Sequence, residues 1–159
     1  MYEFIDALYR QHSAELTAAL AVSTNDRQAA EDLAHEVFVL AMGQQEHLLG
    51  HPNPRAWLFR TGYNLAGNRW KLLTRRRHKA RQERPILSTQ TWDDSIDLRE
   101  SLQRLSRRQR DAVILHYYLG FTAEEIGEML GCAEGTIRSH LHRGRAALDQ
   151  MLAPQEGVR

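Results

Sequence analysis

The sequence predicts an all-α protein built as two small helical domains, an N-terminal helical bundle and a C-terminal helix-turn-helix, joined by a flexible linker. Three observations lead there. Apolar residues recur at three- and four-residue spacings along most of the chain, while alternating runs of β-branched residues are missing. Capping-box patterns punctuate the periodic segments, and one stretch, "RPILSTQTWDDSID", has no helical stripe at all. The length of 159 residues accommodates one ordinary domain or two small ones. The boundaries follow: residues 1–83 as the first domain, 84–97 as the linker and 98–153 as the second domain.

The elements are justified in order. A first helix is expected from 2 to about 22, with Phe4, Ile5, Leu8, Leu16 and Leu20 as its apolar side, and "STND" breaks it. Asn25 with Gln28 forms a capping box ahead of a helix reaching about 42. "LLGHPNP" reads as a loop, because Pro52 and Pro54 lack amide donors and bias their predecessors away from helix. A long helix from 55 to about 79 follows. Beyond the linker, Leu98, Leu102 and Leu105 mark a short helix. Ser106 with Gln109 caps the next, which Gly120 ends. Thr122 with Glu125 opens a third short helix, and Gly131 stops it as a residue able to take left-handed dihedrals.

The net charge of +1 hides an asymmetry. Residues 1–46 carry eight acidic side chains against Arg10 and Arg27, whereas 71–84 carry Lys71, Arg75, Arg76, Arg77, Lys79, Arg81 and Arg84 against Glu83 alone. Such a distribution suits a polyanion on one surface and a different partner on another. Cys132 is the only cysteine, which excludes an intrachain disulfide and a four-cysteine zinc site. No apolar run approaches the roughly 18 residues of a membrane span, and the first residues lack the order of a secretory signal. A cytoplasmic protein without membrane insertion is expected.

The segment "GEMLGCAEGTIRSHLHRGR" carries the sharpest signal. Two short helices meet at a glycine turn, small Gly127 sits where they cross, and Ile126, Leu130, Ile137, Leu141 and Leu148 form inward stripes. Arg138, Ser139, His142, Arg143 and Arg145 then project outward. Arginine matches the two major-groove acceptors of guanine, each good pair discriminating by about 1–3 kcal/mol, so this helix is expected to grip duplex DNA. Ala133 stands where a capping Ser or Thr is usual. The histidines offer no metal site: His140 and His142 lie on different helix faces, and "HEVFV" places Val39 where a zinc motif needs its second ligand. No metal and no cofactor are expected.

In the front half, Ala30, Leu33, Val37, Leu40 and Ala41 share one arc, and Gln28, Glu31, Asp32, His35, Glu36 and Val39 the opposite one. That acidic ridge with Val39 inside it is either a solvated face or a docking surface for a basic protein. On the following helix Arg60, Asn64, Asn68, Lys71 and Arg75 form a polar arc with Trp57 at its edge. Leu58, Gly62, Leu65 and Leu72 form the core stripe, and Phe59, Tyr63 and Trp70 a third face directed at the first helix. Amides and cations in line, beside a loop, fit a nucleic-acid strand whose bases are splayed and pocketed.

Taken together, "AEDLAHEVFV", "NPRAWLFRTGYNLAGNR" and "LSRRQRDAVILHYYLGFTAEEIGEMLGCAEGTIRSHLHRGRAAL" resemble, in order, three motifs of the extracytoplasmic-function (ECF, group 4) RNA polymerase sigma factors of the sigma-70 family. The likeness covers nearly the whole chain. It implies an alternative sigma factor that binds core RNA polymerase and directs initiation at promoters carrying minus-ten and minus-thirty-five elements. It assigns Asp32, His35, Glu36 and Val39 to core polymerase, through the clamp helices of the largest subunit, with the polymerase flap as a further partner. It assigns the loop with His51 and Asn53 to a pocket for a flipped base, and Arg60, Asn64, Asn68, Lys71 and Arg75 to the opened minus-ten strand. Arg138, Ser139, His142, Arg143 and Arg145 read the minus-thirty-five duplex. An anti-sigma factor is a further implied partner, and no catalytic residue is implied. His35 replaces a commoner glutamine, and Asn68 a frequent aspartate.

The residues alone reach a two-headed DNA binder with an acidic interaction face, and two other classes stay open at this level. A one-component regulator would use the helix-turn-helix on duplex DNA without polymerase. A nucleic-acid enzyme would need a metal cluster, for which Asp32 and Glu36 at four-residue spacing are the densest acidic pair.

Overall fold

The computed structural model describes residues 2–76 and 96–153, and every regular element among them is helical. The N-terminal domain comprises α1 (Glu3–Thr24), α2 (Arg27–Gly43), α3 (Gln45–Leu49) and α4 (Pro54–Arg76). The C-terminal domain comprises α5 (Ile96–Arg104), α6 (Arg107–Val113) with its π-helical continuation Ile114–Tyr118, α7 (Ala123–Leu130) and α8 (Glu134–Leu152). The expected linker lies outside the described residues except at 96 and 97, which already belong to α5.

The antiparallel pair α1 and α2 forms the base of the first domain. Leu16, Leu20, Leu33 and Val37 are buried between them, and alanines at 19, 30, 34 and 41 let the two backbones approach. Two stripe residues depart from expectation: Leu40 and Leu72 are 43% and 59% exposed, because each lies at the margin of its arc. The α2 cap is also one residue later than its sequence pattern suggests. Asn25 takes the left-handed conformation that reverses the chain, with φ 53°, and Asp26 then caps α2 by accepting the Ala29 N–H at 3.1 Å. The expected loop at 48–54 is partly helical, since fully buried Leu48 anchors the short α3. Asn53 Oδ1 accepts the Ala56 N–H at 3.0 Å, and Pro54 occupies the first helical position of α4, where its missing N–H costs nothing.

In the second domain both expected capping boxes form, at Ser106 with Gln109 and at Thr122 with Glu125. The sequence does not foretell the π turn after Val113. There the Leu119 N–H reaches back to the Ile114 carbonyl, His116 Nδ1 lies 2.8 Å from the Phe121 carbonyl, and Gly120, with φ 77°, ends the segment.

The two domains share one continuous core. The face of Phe59, Tyr63 and Trp70, expected against α1, lies against the C-terminal domain instead: Phe59 and Phe121 rings are 5.1 Å apart, and the Arg107 guanidinium lies 5.3 Å over the Trp70 ring. A buried polar seam runs beside them. Arg110 Nη2 donates to the Ser23 carbonyl at 2.8 Å, and Gln103 Nε2 to the Val22 carbonyl at 3.1 Å. Asp111 is 1% exposed, and burial pushes its carboxyl pKa up against the opposing pull of Ser23, Arg107 and Arg110. Burial and the Asp111 charge also raise the Tyr63 hydroxyl well above its ordinary value. Tyr63 Oη, Arg107 Nε and Arg110 Nε have no hydrogen-bond partner among the described residues, and each such atom costs about 1–3 kcal/mol.

Candidate nucleic-acid interface

The helix-turn-helix is assembled around Gly127. Its carbonyl accepts the N–H of Gly131 and, at 2.9 Å, that of Cys132. A Cβ on Gly127 would stand 2.6 Å from the Cys132 carbonyl oxygen, so only glycine lets the chain fold back this tightly. Gly131 supplies the left-handed step, φ 69°, that redirects the chain into α8. The α8 N-cap, Ala133, makes no side-chain cap bond.

Helix α8 buries Ile137, Leu141, Gly144 and Leu148 against the domain, and the 3.6-residue period then fixes what faces away. Arg138, Ser139, His142, Arg143 and Arg145 are all exposed on the outer side. Two of the arginines are already held: Arg138 Nη2 lies 2.6 Å from Glu134 Oε1, and the Arg145 guanidinium sits 5.8 Å over the Tyr117 ring. Exposed ion pairs are worth only about 0–1 kcal/mol, so a phosphate or guanine edge readily replaces Glu134 as the partner of Arg138.

On α4, Arg60, Asn64, Asn68 and Lys71 are exposed along one side, as the polar arc requires. Arg75 lies in the last described turn, and its side chain, like the basic residues 77–84, lies outside what is described. His51 and Asn53 precede α4 in a folded loop: His51 Nδ1 accepts the Asn53 N–H at 3.0 Å, and its ring packs edge-on against His47. Asn53 does not face solvent freely. Its Nδ2 donates to Glu125 Oε2, at the start of α7, at 3.2 Å.

Asp32, His35, Glu36 and Val39 form an exposed ridge on α2, with Val39 53% exposed. Beside it lies an apolar groove of about 280 Å³ lined by Tyr2, Ile5, Asp6, Tyr9, His35, Phe38, Val39 and Met42. Acidic Asp32 and Glu36 on the ridge thus neighbour a mostly apolar groove whose own lining includes Asp6, a combination suited to a partner surface with both basic and apolar side chains. Half of the groove, Ile5 and Tyr9 of α1 with Tyr2 at its N-cap, is not foretold by the α2 pattern.

Sequence reasoning also missed Arg55. Its guanidinium donates to Glu15 at 2.8 and 3.1 Å and to the Leu119 carbonyl at 3.0 Å, and lies 4.3 Å over the Phe121 ring. Burial works to raise the Glu15 pKa, but hydrogen bonds from Arg55 and His12 outweigh it and bring the group below its ordinary value. These partners are 40 and 64 residues from Arg55, beyond the reach of any periodicity.

Comparison with known proteins places this geometry among relatives. The family model for Sigma-70 region 2 matches residues 8–77, and that for Sigma-70, region 4 matches residues 95–148. The chain is 27% identical over 154 residues to the RNA polymerase sigma factor YlaC of Bacillus subtilis, covering 91% of this chain and 89% of that protein. It is 30% identical over 157 residues to the ECF RNA polymerase sigma factor SigL of Mycobacterium tuberculosis, covering 89% of this chain and 85% of that protein. Among solved structures, the sigma factor RpoE of Bartonella quintana, in complex with the anti-sigma factor NepR, is 26% identical with a TM-score of 0.84, covering 96% and 98% of the two chains. The fold, though at 22% identity no more than the fold, is also that of CnrH in complex with the cytosolic domain of CnrY, with a TM-score of 0.62.

Proposed function

The chain belongs to the ECF RNA polymerase sigma factors, and from that premise we propose how its own residues direct initiation. As an alternative sigma factor it directs promoter-specific transcription initiation. Within the sigma-70 family we place it in group 4, with residues 1–83 as the polymerase-docking and minus-ten domain, 84–97 as the linker and 98–153 as the minus-thirty-five domain.

The observation that carries the reading is the division of α8 into a buried stripe, Ile137, Leu141 and Leu148, and an exposed face with Arg138, Ser139, His142 and Arg143. That face enters the major groove of the minus-thirty-five element, with arginine on guanine edges and Ser139 and His142 on bases or phosphates. Arg145 contacts the backbone. In the front domain Asn64 and Asn68 hydrogen-bond bases of the opened minus-ten strand while Arg60, Lys71 and Arg75 follow its phosphates, and the loop of His51 and Asn53 receives a flipped base. The ridge of Asp32, His35, Glu36 and Val39 docks core polymerase at the clamp helices of its largest subunit, supported by the apolar groove beside it. Tethering two weak DNA contacts through the polymerase multiplies their affinity by about 10²–10⁴.

The chain itself contributes no bond-making step, so we read it as a non-catalytic recognition subunit with no metal or cofactor. We propose a cytoplasmic location, where polymerase and promoter DNA are met; no helix among the described residues is long and apolar enough to cross a membrane. An anti-sigma protein is the further partner we propose, on the model of the relatives solved with one. Run-off transcription from a genomic fragment library, with core polymerase plus this chain, tests the reading: discrete transcripts that need the chain are expected, and their absence from every fragment overturns it.

A further inference from the structure

Resting on the reading of α8 as the helix that enters the minus-thirty-five duplex, we propose that Glu134 is a specificity-determining residue of that helix. With Arg138 it forms one recognition unit, an acceptor beside a donor fork, that fits a G·C pair in one orientation and disfavours Arg138 on phosphate.

The three arginines on the outer face of α8 are held differently. Arg145 is stacked on the Tyr117 ring, and Arg143 has no hydrogen-bond or ion-pair partner among the described residues. Arg138 is joined to a carboxylate: its Nη2 lies 2.6 Å from Oε1 of Glu134, one helical turn back. The Arg138 side chain is 71% exposed and that of Glu134 45%, so the pair stands on the surface offered to DNA. Glu134 and Asp149 are the only acidic residues of α8, and about 22 Å of helix separates them. An acid in the first turn ordinarily serves the helix dipole, the more so where Ala133 provides no side-chain cap. Here Oε1 is also turned onto the arginine, and Oε2 has no hydrogen-bond partner among the described residues.

The unit matches the major-groove edge of one base pair. Guanine presents N7 and O6 as acceptors, and the N4–H of its cytosine lies beside O6. Those two groups are hydrogen-bonded to each other and so about 2.9 Å apart. That spacing is close to the 2.6 Å between Arg138 Nη2 and Glu134 Oε1. With one Nη2 hydrogen on Glu134, Arg138 keeps its other Nη2 hydrogen and those of Nη1 for O6 and N7, while Glu134 accepts the cytosine N4–H. An A·T pair sets the adenine amino donor against the arginine fork and the thymine O4 acceptor against the carboxylate. Reversing the G·C pair exchanges the two edges and has the same effect.

Specificity also comes from what the pair rejects. Phosphate and guanine can each displace Glu134 from Arg138, because an exposed ion pair is weak, but only neutral guanine can be bound without doing so. An Arg138 that moves to a phosphate leaves the Glu134 carboxylate uncompensated against the anionic backbone. On the G·C edge the pair stays intact, and exclusion of water from the groove lowers the local dielectric and strengthens it. Glu134 thereby withdraws one cation from sequence-independent binding and keeps it for one base pair.

The promoter obtained by run-off transcription supplies the probe. Holoenzyme made from core polymerase and the full chain is titrated by fluorescence anisotropy onto that promoter duplex and onto copies with each upstream base pair replaced in turn. A duplex with the upstream element scrambled is titrated over a series of salt concentrations. For Glu134→Ala the preference at one G·C position should fall by about tenfold. Affinity for the scrambled duplex should rise, and its log–log salt slope steepen by about 0.9, as Arg138 becomes free for a phosphate. Glu134→Gln, which keeps an acceptor but adds an amide donor and loses the charge, should move the same way. Arg138→Ala strands the carboxylate and should weaken binding to the scrambled duplex, and removing Glu134 as well should restore part of it. A residue that only starts the helix would weaken binding to every duplex alike, so that result overturns the proposal. If the unaltered chain shows no preference for promoter over scrambled duplex, the duplex-reading role and the proposal fall together. If that preference is present and unchanged at every upstream position in both Glu134 variants, the proposal alone is overturned.

Discussion

Gly127→Ala isolates the geometry on which α8 depends. In an ordinary helix the exchange of glycine for alanine gains up to about 1 kcal/mol. Here the new methyl would meet the Cys132 carbonyl oxygen at 2.6 Å, and that atom is backbone, fixed by the Cys132 N–H bond to Gly127 itself. Overpacking of this kind costs about 1–3 kcal/mol, and the upper half applies when no flexible side chain can swing aside. The net expectation is a loss of about 1–2 kcal/mol, or about 3–6 °C in Tm for a chain of this size. Gly135→Ala is the control, because nothing lies within 4 Å of its Cβ position and the site is exposed, so stability should hold or rise. Thermal unfolding followed by circular dichroism reads both, and duplex promoter binding by holoenzyme should fall in Gly127→Ala alone. Equal Tm values for Gly127→Ala and the parent chain would refute the turn as described.

Arg143→Ala should lower promoter-dependent transcription by about tenfold, the loss of one arginine contact to a guanine edge, while core polymerase affinity measured by fluorescence anisotropy stays within twofold. The double variant Asp32→Ala with Glu36→Ala should do the reverse, weakening polymerase binding by about tenfold or more while leaving the helical circular-dichroism spectrum intact. Loss of both properties in either protein would indicate misfolding rather than separate surfaces. Glu15 provides a pH test. Its folded pKa lies below the unfolded one, so the Arg55 and His12 contacts stabilise fully above the ordinary glutamate range and fade as pH falls through the folded value. Glu15→Gln should flatten the fall of the urea midpoint on the acid side, and an unchanged acid slope would remove Glu15 from the account.

The parts of this fold legible in the sequence are those set by neighbours in the chain. The capping boxes at Ser106 and Thr122, the left-handed glycine at 131 and the inward stripe of α8 each depend on residues within about two helical turns, and each forms as its pattern dictates. The local errors share a cause: Asn25 and Asp26 are both good capping residues, and chain reversal by Asn25 decides between them. The relation between the domains was not legible. Phe59, Tyr63 and Trp70 declare an apolar face at helical spacing but not what covers it, and its partners Phe121, Asp111 and Arg107 lie 37 or more residues away beyond an aperiodic stretch. Asn53 illustrates the consequence for the site, since its residue type suggests a reader of bases while its bond to Glu125 is a property of the folded whole.

The most direct measurement is footprinting of a promoter by core polymerase carrying this chain, combining hydroxyl-radical cleavage with permanganate reactivity of thymines. Two separated contacts are predicted, an upstream duplex protection that Arg143→Ala erases and a downstream block of permanganate-reactive, opened strand that Asn64→Ala with Asn68→Ala erases. A single upstream footprint obtained with the chain alone, unchanged by polymerase and without reactive thymines, would contradict the account.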